Sequence, residues 1–349
     1  MKEGYFHRVT AQTPTIFWIN NPTREEADLA IEQGALGCTN NPSYTWKMIS
    51  HPTEGEYAKT VLEETLEETD DDNEAIAILQ RKLVKPVQEK FLPIYEKMAG
   101  EHGYVSIQGD PIREHDPDVI IKEALENRKL GGNICCKIPT TAAGLAAMET
   151  LIAEDVPLNA TEIMGVSQGI SICEMYLQAS QKTGKSPKLY LSHIAGIYDD
   201  HLRNCAERDT IEISPDLLCQ GGLAATRKLH QIMQERNYPG TIVGGGARAL
   251  YHFTEMVGLD ACVTINWQGT ADKLLEQNPP VVYRFFNPIP QKVIDELMEK
   301  LPDFKKGYLE DGLTVEEYEE FGPVELFRSS FVNAWQSVLD LLKERRAAM

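Results

Sequence analysis

Basic residues are scarce in this 349-residue chain: 34 lysines and arginines stand against 53 aspartates and glutamates, and the formal net charge is −19. Acidic surfaces repel phosphate backbones and anionic lipids. The sequence also lacks an apolar run near the roughly 18 residues of a membrane span, and its first residues are mixed and polar. We therefore expect no nucleic-acid partner, no membrane association and a cytoplasmic location.

Cysteine is present, but not in a pattern that builds a site. The seven cysteines are an odd number, and they form neither a C-x-x-C pair nor a Cys/His spacing typical of zinc. Cys38, Cys135, Cys136 and Cys262 lie in strand-like runs, where small core residues are expected. Neither a disulfide framework nor a metal site is predicted.

Short apolar segments alternate with helical patterns along most of the chain. The strand-like segments are residues 15–20, 35–40, 104–110, 134–140, 158–164, 188–196, 240–247 and 261–266. Eight such units with nearly continuous apolar strands favour a closed (β/α)8 barrel, the TIM-barrel fold, over an open doubly wound sheet. The predicted class is thus α/β, with the barrel over residues 1–280.

Two segments of the chain are not accounted for by the eight strand–helix units. Residues 42–103 are an oversized second connection with an acidic cluster and about two amphipathic helices, which we interpret as an insertion after strand 2. Residues 281–349 form a C-terminal helical extension, with helices within 288–301 and over 324–345. The last helix places Phe327, Phe331 and Trp335 on one face, so we expect it to pack on the barrel or on a second subunit of a homo-oligomer.

Lys137 interrupts the apolar run 134–140. A desolvated amine is costly, and burial lowers a lysine pKa toward the neutral form that attacks carbonyls. The alternative is a strand-end lysine whose stem covers apolar surface while its head reaches water. The first interpretation makes Lys137 a candidate nucleophile for Schiff-base chemistry.

In barrels of this class the chemistry lies at the carboxyl ends of the strands. The polar residues predicted there are Asn20, Asn41, Gln108, Lys137, Thr161, Ser192, His193, Gly246 and Arg248. Amides and hydroxyls around a Schiff-base lysine suit a substrate with hydroxyls beside a ketone, because the protonated imine is an electron sink for carbon–carbon cleavage.

Three motifs in this order resemble the transaldolase family: residues 37–43 (GCTNNPS), 136–145 (CKIPTTAAGL) and 158–161 (LNAT). The similarity continues to about residue 275. It implies a barrel aldolase that forms an imine with a ketose, expected to be a sugar phosphate, and transfers a dihydroxyacetone unit to an aldose acceptor. No metal or organic cofactor is implied, and the implied setting is carbohydrate metabolism such as the pentose phosphate pathway.

The resemblance also assigns roles. Lys137 matches the imine lysine, and Thr161 matches the threonine that holds the catalytic water. Asn41 and Ser192 match residues that bind the donor's hydroxyls, and Arg248 matches a phosphate-binding arginine. Gly246 and His193 are expected to help bind the substrate.

The departures fall on the residues that move protons. Asn20 and Gln108 stand where transaldolases have an aspartate and a glutamate, and neither amide is a general base. A glutamine at that position is similar to the fructose-6-phosphate aldolase subgroup, but the aromatic hydroxyl of that subgroup aligns with Ile194. A second phosphate-binding arginine aligns with Ile197 and a phosphate-binding serine with Gly246, so a substrate without phosphate, or with another anion, is an alternative.

Candidate replacements for the missing carboxylates are His193, Glu162, Asp110, Tyr198 and Asp199. Alternation along a strand points His193 and Glu162 toward the helices unless a bulge turns them inward.

Three functions stay open. The leading one is a transaldolase in which Asn20, Gln108 and Thr161 pass protons through water. The second, indicated by Gln108, is a lyase that releases free dihydroxyacetone. The third is a non-catalytic sugar-phosphate-binding barrel; loss of both carboxylates favours it, and retention of Lys137 and Thr161 counts against it.

Overall fold

The computed structural model describes residues 4–348, and its centre is a closed barrel of eight parallel strands. Each strand pairs with the next in the chain, and the eighth pairs with the first. The strands are β1 (Ile16–Asn20), β2 (Cys38–Asn40), β3 (Val105–Gln108), β4 (Ile134–Pro139), β5 (Leu158–Ile163), β6 (Leu189–His193), β7 (Thr241–Gly244) and β8 (Ala261–Ile265). The predicted (β/α)8 barrel is confirmed.

Sixteen α-helices lie within the described residues, most of them around the barrel. They are α1 (Tyr5–Gln12), α2 (Arg24–Glu32), α3 (Tyr44–Ser50), α4 (Gly55–Leu66), α5 (Asp72–Lys97), α6 (Pro117–Arg128), α7 (Ala142–Ala153), α8 (Val166–Thr183), α9 (Ala195–Arg208), α10 (Pro215–Leu218), α11 (Gly221–Glu235), α12 (Tyr251–Thr254), α13 (Asp272–Gln277), α14 (Gln291–Lys300), α15 (Pro302–Tyr308) and α16 (Gly322–Ala348). A π-helical turn (Trp267–Ala271) precedes α13, and a 3₁₀ turn (Val315–Glu317) precedes α16. No helix within residues 4–348 is both long and apolar enough to cross a membrane.

The strand boundaries differ from the expected ones at β6. The sequence prediction extends this strand to Gly196, whereas the strand ends at His193 and α9 begins at Ala195. The apolar residues 194–197 look like a strand, but Gly196 lies against the backbone of Gly246, where a Cβ atom would be 2.0 Å from the Gly246 carbonyl oxygen. The helix therefore starts where the chain must pack against the loop after β7.

The amino-terminal half of the barrel interior is filled with side chains. Trp18, Tyr104, Tyr190, Cys135 and Cys262 form a separate buried cluster, in which the rings of Trp18 and Tyr190 are 5.0 Å apart. This packing closes one end of the barrel, so the interior opens only toward the carboxyl ends of the strands.

The second connection holds three helices, α3, α4 and α5, rather than about two. Asp71 caps α5 by accepting hydrogen bonds from the amides of Asn73 and Glu74. The helix α16 contacts α3, α5, α9 and β5. Its predicted apolar face is buried, and the Trp335 indole donates a 3.0 Å hydrogen bond to Asn73.

The segment after Lys137 is built by a tight turn from strand to helix. β4 ends at Pro139, and the Thr141 hydroxyl caps α7 by accepting from the amide of Gly144 at 3.1 Å. A Cβ atom on Gly144 would lie 1.8 Å from the Pro139 carbonyl oxygen. Only glycine lets α7 approach the end of this strand so closely.

We expect Gly144→Ala to lower the free energy of unfolding by about 1–3 kcal/mol, because the clash outweighs the roughly 1 kcal/mol that alanine gains in a helix. Gly132→Ala is the matched control, since its Cβ atom would meet nothing closer than 3.8 Å. Urea unfolding of both variants measures the difference. Equal stabilities would show that the turn can widen without cost.

Candidate active site

A cavity of about 400 Å³ opens at the carboxyl end of the barrel. Six of the predicted site residues line it: Asn20, Asn41, Lys137, Ser192, Gly246 and Arg248. Phe327 and Phe331 of α16 complete its wall. Its size and its mixture of amides, hydroxyls and the amines of Lys47 and Lys137 suit a small polyhydroxylated molecule.

Lys137 lies in β4, directly between Gln108 of β3 and Asn159 of β5 in the barrel register. Its side chain is buried, and its Nζ atom lies 5.9 and 5.8 Å from the ring centroids of Phe327 and Phe331. It forms no ion pair with any residue in the described part of the chain. Burial lowers the pKa of Lys137 from 10.5 to about 8, while the acidic groups nearby oppose the shift. A fraction of this amine is therefore neutral and nucleophilic near neutral pH.

The amide of Asn41 is held in one orientation. The side-chain Oδ1 atom accepts from Asn21 Nδ2 at 2.8 Å and from the backbone amide of Ser43 at 3.1 Å. The backbone amide of Asn41 donates to Asn21 Oδ1 at 2.9 Å. With the oxygen occupied, the Nδ2 group of Asn41 is left to donate to a ligand.

The hydroxyl of Ser192 is held so that its oxygen, and not its hydrogen, is available to a ligand. Its hydroxyl donates to Asn159 Oδ1 at 2.7 Å, and Asn159 Nδ2 donates to Ser106 Oγ at 3.0 Å. The Ser192 oxygen can therefore accept a hydrogen bond from a hydroxyl in the cavity. Asn41, directly after β2, and Ser192 of β6 thus present a donor and an acceptor from two sides of the cavity wall.

Asn20 is a fixed part of the wall. Its Oδ1 atom accepts from the Thr39 hydroxyl at 2.9 Å, and its Nδ2 group donates to Asn266 Oδ1 at 2.8 Å. Thr39 also shares a 2.7 Å hydrogen bond with Thr264. With its oxygen and its nitrogen both engaged, Asn20 is positioned by β2 and by the end of β8.

Glu162 points inward because β5 contains a bulge. The register shifts between Ala160 and Ile163, and Glu162 has a φ of +62°. Gln108 Nε2 donates to Glu162 Oε1 at 2.7 Å. Since Gln108 is paired in register with Lys137, the carboxyl of Glu162 lies on the same side of the sheet as the amine. Simple alternation gave the wrong direction here.

The carboxyl of Glu162 is buried, and burial raises its pKa, whereas the hydrogen bond from Gln108 and the charge of Lys137 act to lower it. Its Oε2 atom, the Oε1 atom of Gln108 and the hydroxyl of Thr161 have no hydrogen-bond partner among residues 4–348. A second cavity, of about 20 Å³, is lined by Gln108, Glu114 and Lys137. That volume is enough for one water molecule.

Glu114 and Arg328 connect this region to α16. Arg328 Nε lies 2.7 Å from Glu114 Oε1, and Arg328 also pairs with Glu319. Burial and the nearby Glu162 raise the pKa of Glu114 well above its usual range. Arg328 directly follows Phe327, so this ion pair holds the ring in place over Lys137.

His193 does not belong to the cavity. It is fully buried, and its Nδ1 atom shares a 2.9 Å hydrogen bond with the hydroxyl of Thr226 in α11. Burial lowers the pKa of His193 to about 4, so the ring is neutral at pH 7. The predicted substrate contact of His193 is wrong because β6 has no bulge and strand alternation sends this side chain outward, opposite to Ser192.

Asp110 has a local structural role. Its Oδ1 atom accepts from the Ile112 amide at 2.7 Å, and its Oδ2 atom accepts from Arg113 Nε at 2.7 Å. These bonds close the turn after β3. Tyr198 donates to the Asp303 carbonyl, and Asp199 accepts from the Gly222 amide and the Tyr251 hydroxyl. Of the candidate replacements considered from the sequence, only Glu162 is directed toward Lys137.

Arg248 lines the cavity but is already paired. Its Nε group donates to Asp200 Oδ2 at 2.6 Å, and Asp200 also pairs with Arg203. Gly246 has a φ of +67°, and a Cβ atom there would lie 2.5 Å from Ile194 Cγ2. The loop that carries Arg248 is therefore packed tightly against Ile194. Of the predicted site residues in this loop, Arg248 alone is cationic, and its guanidinium is already paired with Asp200.

One cluster of potential metal ligands lies outside the cavity in the described part of the chain. His201, Cys205 and Asp303 offer donor atoms within 4.8 Å of one another. His201 Nε2 already lies 2.6 Å from Asp303 Oδ2, and burial raises the pKa of the Cys205 thiol. An engaged imidazole and a protonated thiol are poor ligands, and we assign no metal to this cluster.

Comparison with known proteins agrees with this architecture. Residues 17–321 match the family model described as Transaldolase/Fructose-6-phosphate aldolase, and the chain belongs to that family. A transaldolase of Mycobacterium ulcerans is 25% identical over 236 residues, which are 62% of this chain and 61% of that protein. One from Saccharopolyspora erythraea is 29% identical over 188 residues, 52% of this chain and 50% of that protein. The chain thus spans about three fifths or less of the length of these relatives.

We expect Phe327→Ala to raise the pKa of Lys137 from about 8 toward 10.5, because removing the ring lets water reach the amine. The neutral fraction at pH 7 then falls, and acylation of Lys137 slows roughly threefold or more. The pH dependence of acetic-anhydride labelling, followed by peptide mass spectrometry, measures this shift.

Leu339→Ala is the matched control for Phe327→Ala. Both side chains are buried to the same extent on α16, but Leu339 does not line the cavity. Leu339→Ala should lower the free energy of unfolding, whereas the pH midpoint of Lys137 labelling should stay unchanged. Identical midpoints in both variants would contradict a role for the Phe327 ring in desolvating Lys137.

Proposed function

We propose that this protein is a transaldolase-type enzyme in which Lys137 forms a Schiff base with a ketose and a dihydroxyacetone unit is transferred to an aldehyde acceptor. The observation that carries the proposal is a buried amine without an ion pair, at the end of β4, facing a polar cavity of about 400 Å³. A cationic structural lysine would be expected to have a carboxylate partner there.

The cavity residues suit each stage of this reaction. The neutral Lys137 amine attacks the ketone carbon, and Asn41 and Ser192 bind hydroxyls on either side of it. Once the imine is protonated, it accepts the electron pair of the adjacent carbon–carbon bond as the aldehyde leaves. The rings of Phe327 and Phe331, less than 6 Å from Nζ, limit the access of water to the imine.

Release of free dihydroxyacetone is the second candidate function. It is favoured by Gln108, an amide at the position beside the amine where the resemblance expects a glutamate. Product analysis with and without an aldehyde acceptor separates the two: transfer requires the acceptor for turnover, whereas a lyase releases the three-carbon ketone without it.

Reductive trapping tests the proposed function directly. With cyanoborohydride and a panel of phosphorylated and unphosphorylated ketoses, we expect a sugar adduct on Lys137, located by peptide mass spectrometry. Because the neutral amine attacks, the rate of trapping should rise with pH through about 8 and then level off.

Lys47→Met is the matched control for Lys137→Met. Lys47 also lines the cavity, but its Nζ atom is paired with Glu26 at 3.0 Å. Trapping should disappear in Lys137→Met and persist in Lys47→Met. If no ketose is trapped by the unmodified protein, the enzyme proposal fails and the sugar-binding alternative stands.

We propose that the donor's distal end is held by Arg248 alone, so that a phosphate there contributes modestly. Arg248→Ala should raise KM for a phosphorylated ketose about tenfold, the effect of one hydrogen bond to a charged group, and leave the unphosphorylated ketose within about twofold. Steady-state kinetics with both donors measure this. Arg203→Ala, which also removes a partner of Asp200 but does not line the cavity, is the control. Equal loss for both donors would contradict a phosphate contact.

A further inference from the structure

We propose that Glu162 is the acid–base group that serves Lys137, taking over from the carboxylates that β1 and β3 lack. This inference rests on the proposed Schiff-base function and names the residue that moves its protons. It is based on the bulge in β5, the 2.7 Å hydrogen bond from Gln108 and the shared side of the sheet with Lys137.

The bulge has an energetic cost that calls for an explanation. A glutamate with a φ of +62° is in the left-handed region that non-glycine residues rarely adopt, and the strain costs on the order of 1 kcal/mol or more. The bulge also carries an ionisable side chain from the apolar space under the helices into the barrel interior. No ion pair compensates the buried carboxyl within residues 4–348. Strain and desolvation at one residue are typical of a functional position.

The surroundings leave one oxygen of Glu162 available. Gln108 occupies Oε1, whereas Oε2 is buried without a partner among the described residues. Glu162 and Lys137 do not form a direct ion pair, and Glu162 does not line the 20 Å³ cavity beside Lys137. The proton therefore passes between the Oε2 atom of Glu162 and the reacting atoms beside the hydroxyl of Thr161, the preceding residue, which is also buried without a partner among the described residues.

Glu162 can supply and accept the protons that the dehydration and cleavage steps require. In imine formation, the neutral amine adds to the ketone carbon, the C=O π electrons move to the oxygen, and one nitrogen proton moves to that oxygen to give the carbinolamine. Protonated Glu162 then gives its proton to the carbinolamine hydroxyl; the carbon–oxygen bond breaks, water leaves, and the nitrogen lone pair forms the C=N bond of the iminium. In cleavage, the resulting carboxylate takes the proton of the hydroxyl beside the breaking bond. The bond's electron pair moves into the iminium to give an enamine, and the aldehyde leaves. Addition of the acceptor reverses these steps.

The test compares Glu162→Gln with the unmodified protein. The amide keeps the side-chain shape and can still accept from Gln108, so stability should change little. We expect kcat for donor cleavage to fall 10²- to 10³-fold with little change in KM, as for loss of a general acid–base group. Slow trapping of the ketose on Lys137 should remain. Its pH midpoint should move to lower pH, because removing a negative charge near the amine lowers the pKa of Lys137.

Moving the carboxyl back to β3 is the sharpest control. Adding Gln108→Glu to Glu162→Gln exchanges the two groups across the same hydrogen bond, and we expect it to recover at least tenfold of the lost kcat. The charged groups around this pair, Lys137, Glu114, Arg328 and Glu319, are unchanged in the exchange.

A second variant keeps the proposal testable if Glu162→Gln does not fold. Gln108→Leu leaves the carboxyl in place but removes the hydrogen bond that lowers its pKa, so the pH at which kcat rises should move upward. Full cleavage activity in Glu162→Gln, or an unchanged pH profile in Gln108→Leu, overturns the role of Glu162. If the unmodified protein traps no ketose, it is the proposed function that fails.

Discussion

The desolvation of one amine is the constraint around which the upper end of this barrel is arranged. Lys137 is buried near the carboxyl end of β4, where an ammonium ion is costly, and the rings of Phe327 and Phe331 limit its contact with water. The turn of α16 that carries Phe327 is joined to the loop after β3 by the contact between Arg328 and Glu114. The chemistry of the nitrogen is thus set by residues from the loop after β3 and from the last helix as much as by β4 itself.

The same constraint limits where an acidic group can be placed. A carboxylate in direct contact with Nζ would hold the amine in its protonated form and abolish its nucleophilicity. A carboxyl on β5 that is hydrogen-bonded to Gln108 and makes no ion pair with Nζ avoids this effect, which is compatible with the acid–base role proposed for Glu162. An amide at position 108 is then a spacer and orienting group, which gives a physical reason for a glutamine that alone looks like a loss.

The sequence was sufficient for the barrel and for the buried position of Lys137, because eight apolar strand segments and one lysine inside such a segment are local patterns. It was insufficient where tertiary packing overrides alternation. Strand periodicity sends Glu162 and His193 in the same outward direction, yet the bulge turns only Glu162 inward. The Glu114–Arg328 pair joins segments far apart in the chain, and the α9 start depends on a contact between Gly196 and Gly246. None of these is encoded in a short window of residues.

The position of Phe327 and Phe331 late in the chain has a consequence for biosynthesis. All eight strands precede these rings in the chain, so the part of the cavity wall that α16 supplies is synthesised last. Under the proposed function, the desolvation of Lys137 is complete only when α16 has packed on the barrel, and the amine reaches its full nucleophilicity only when synthesis is nearly finished.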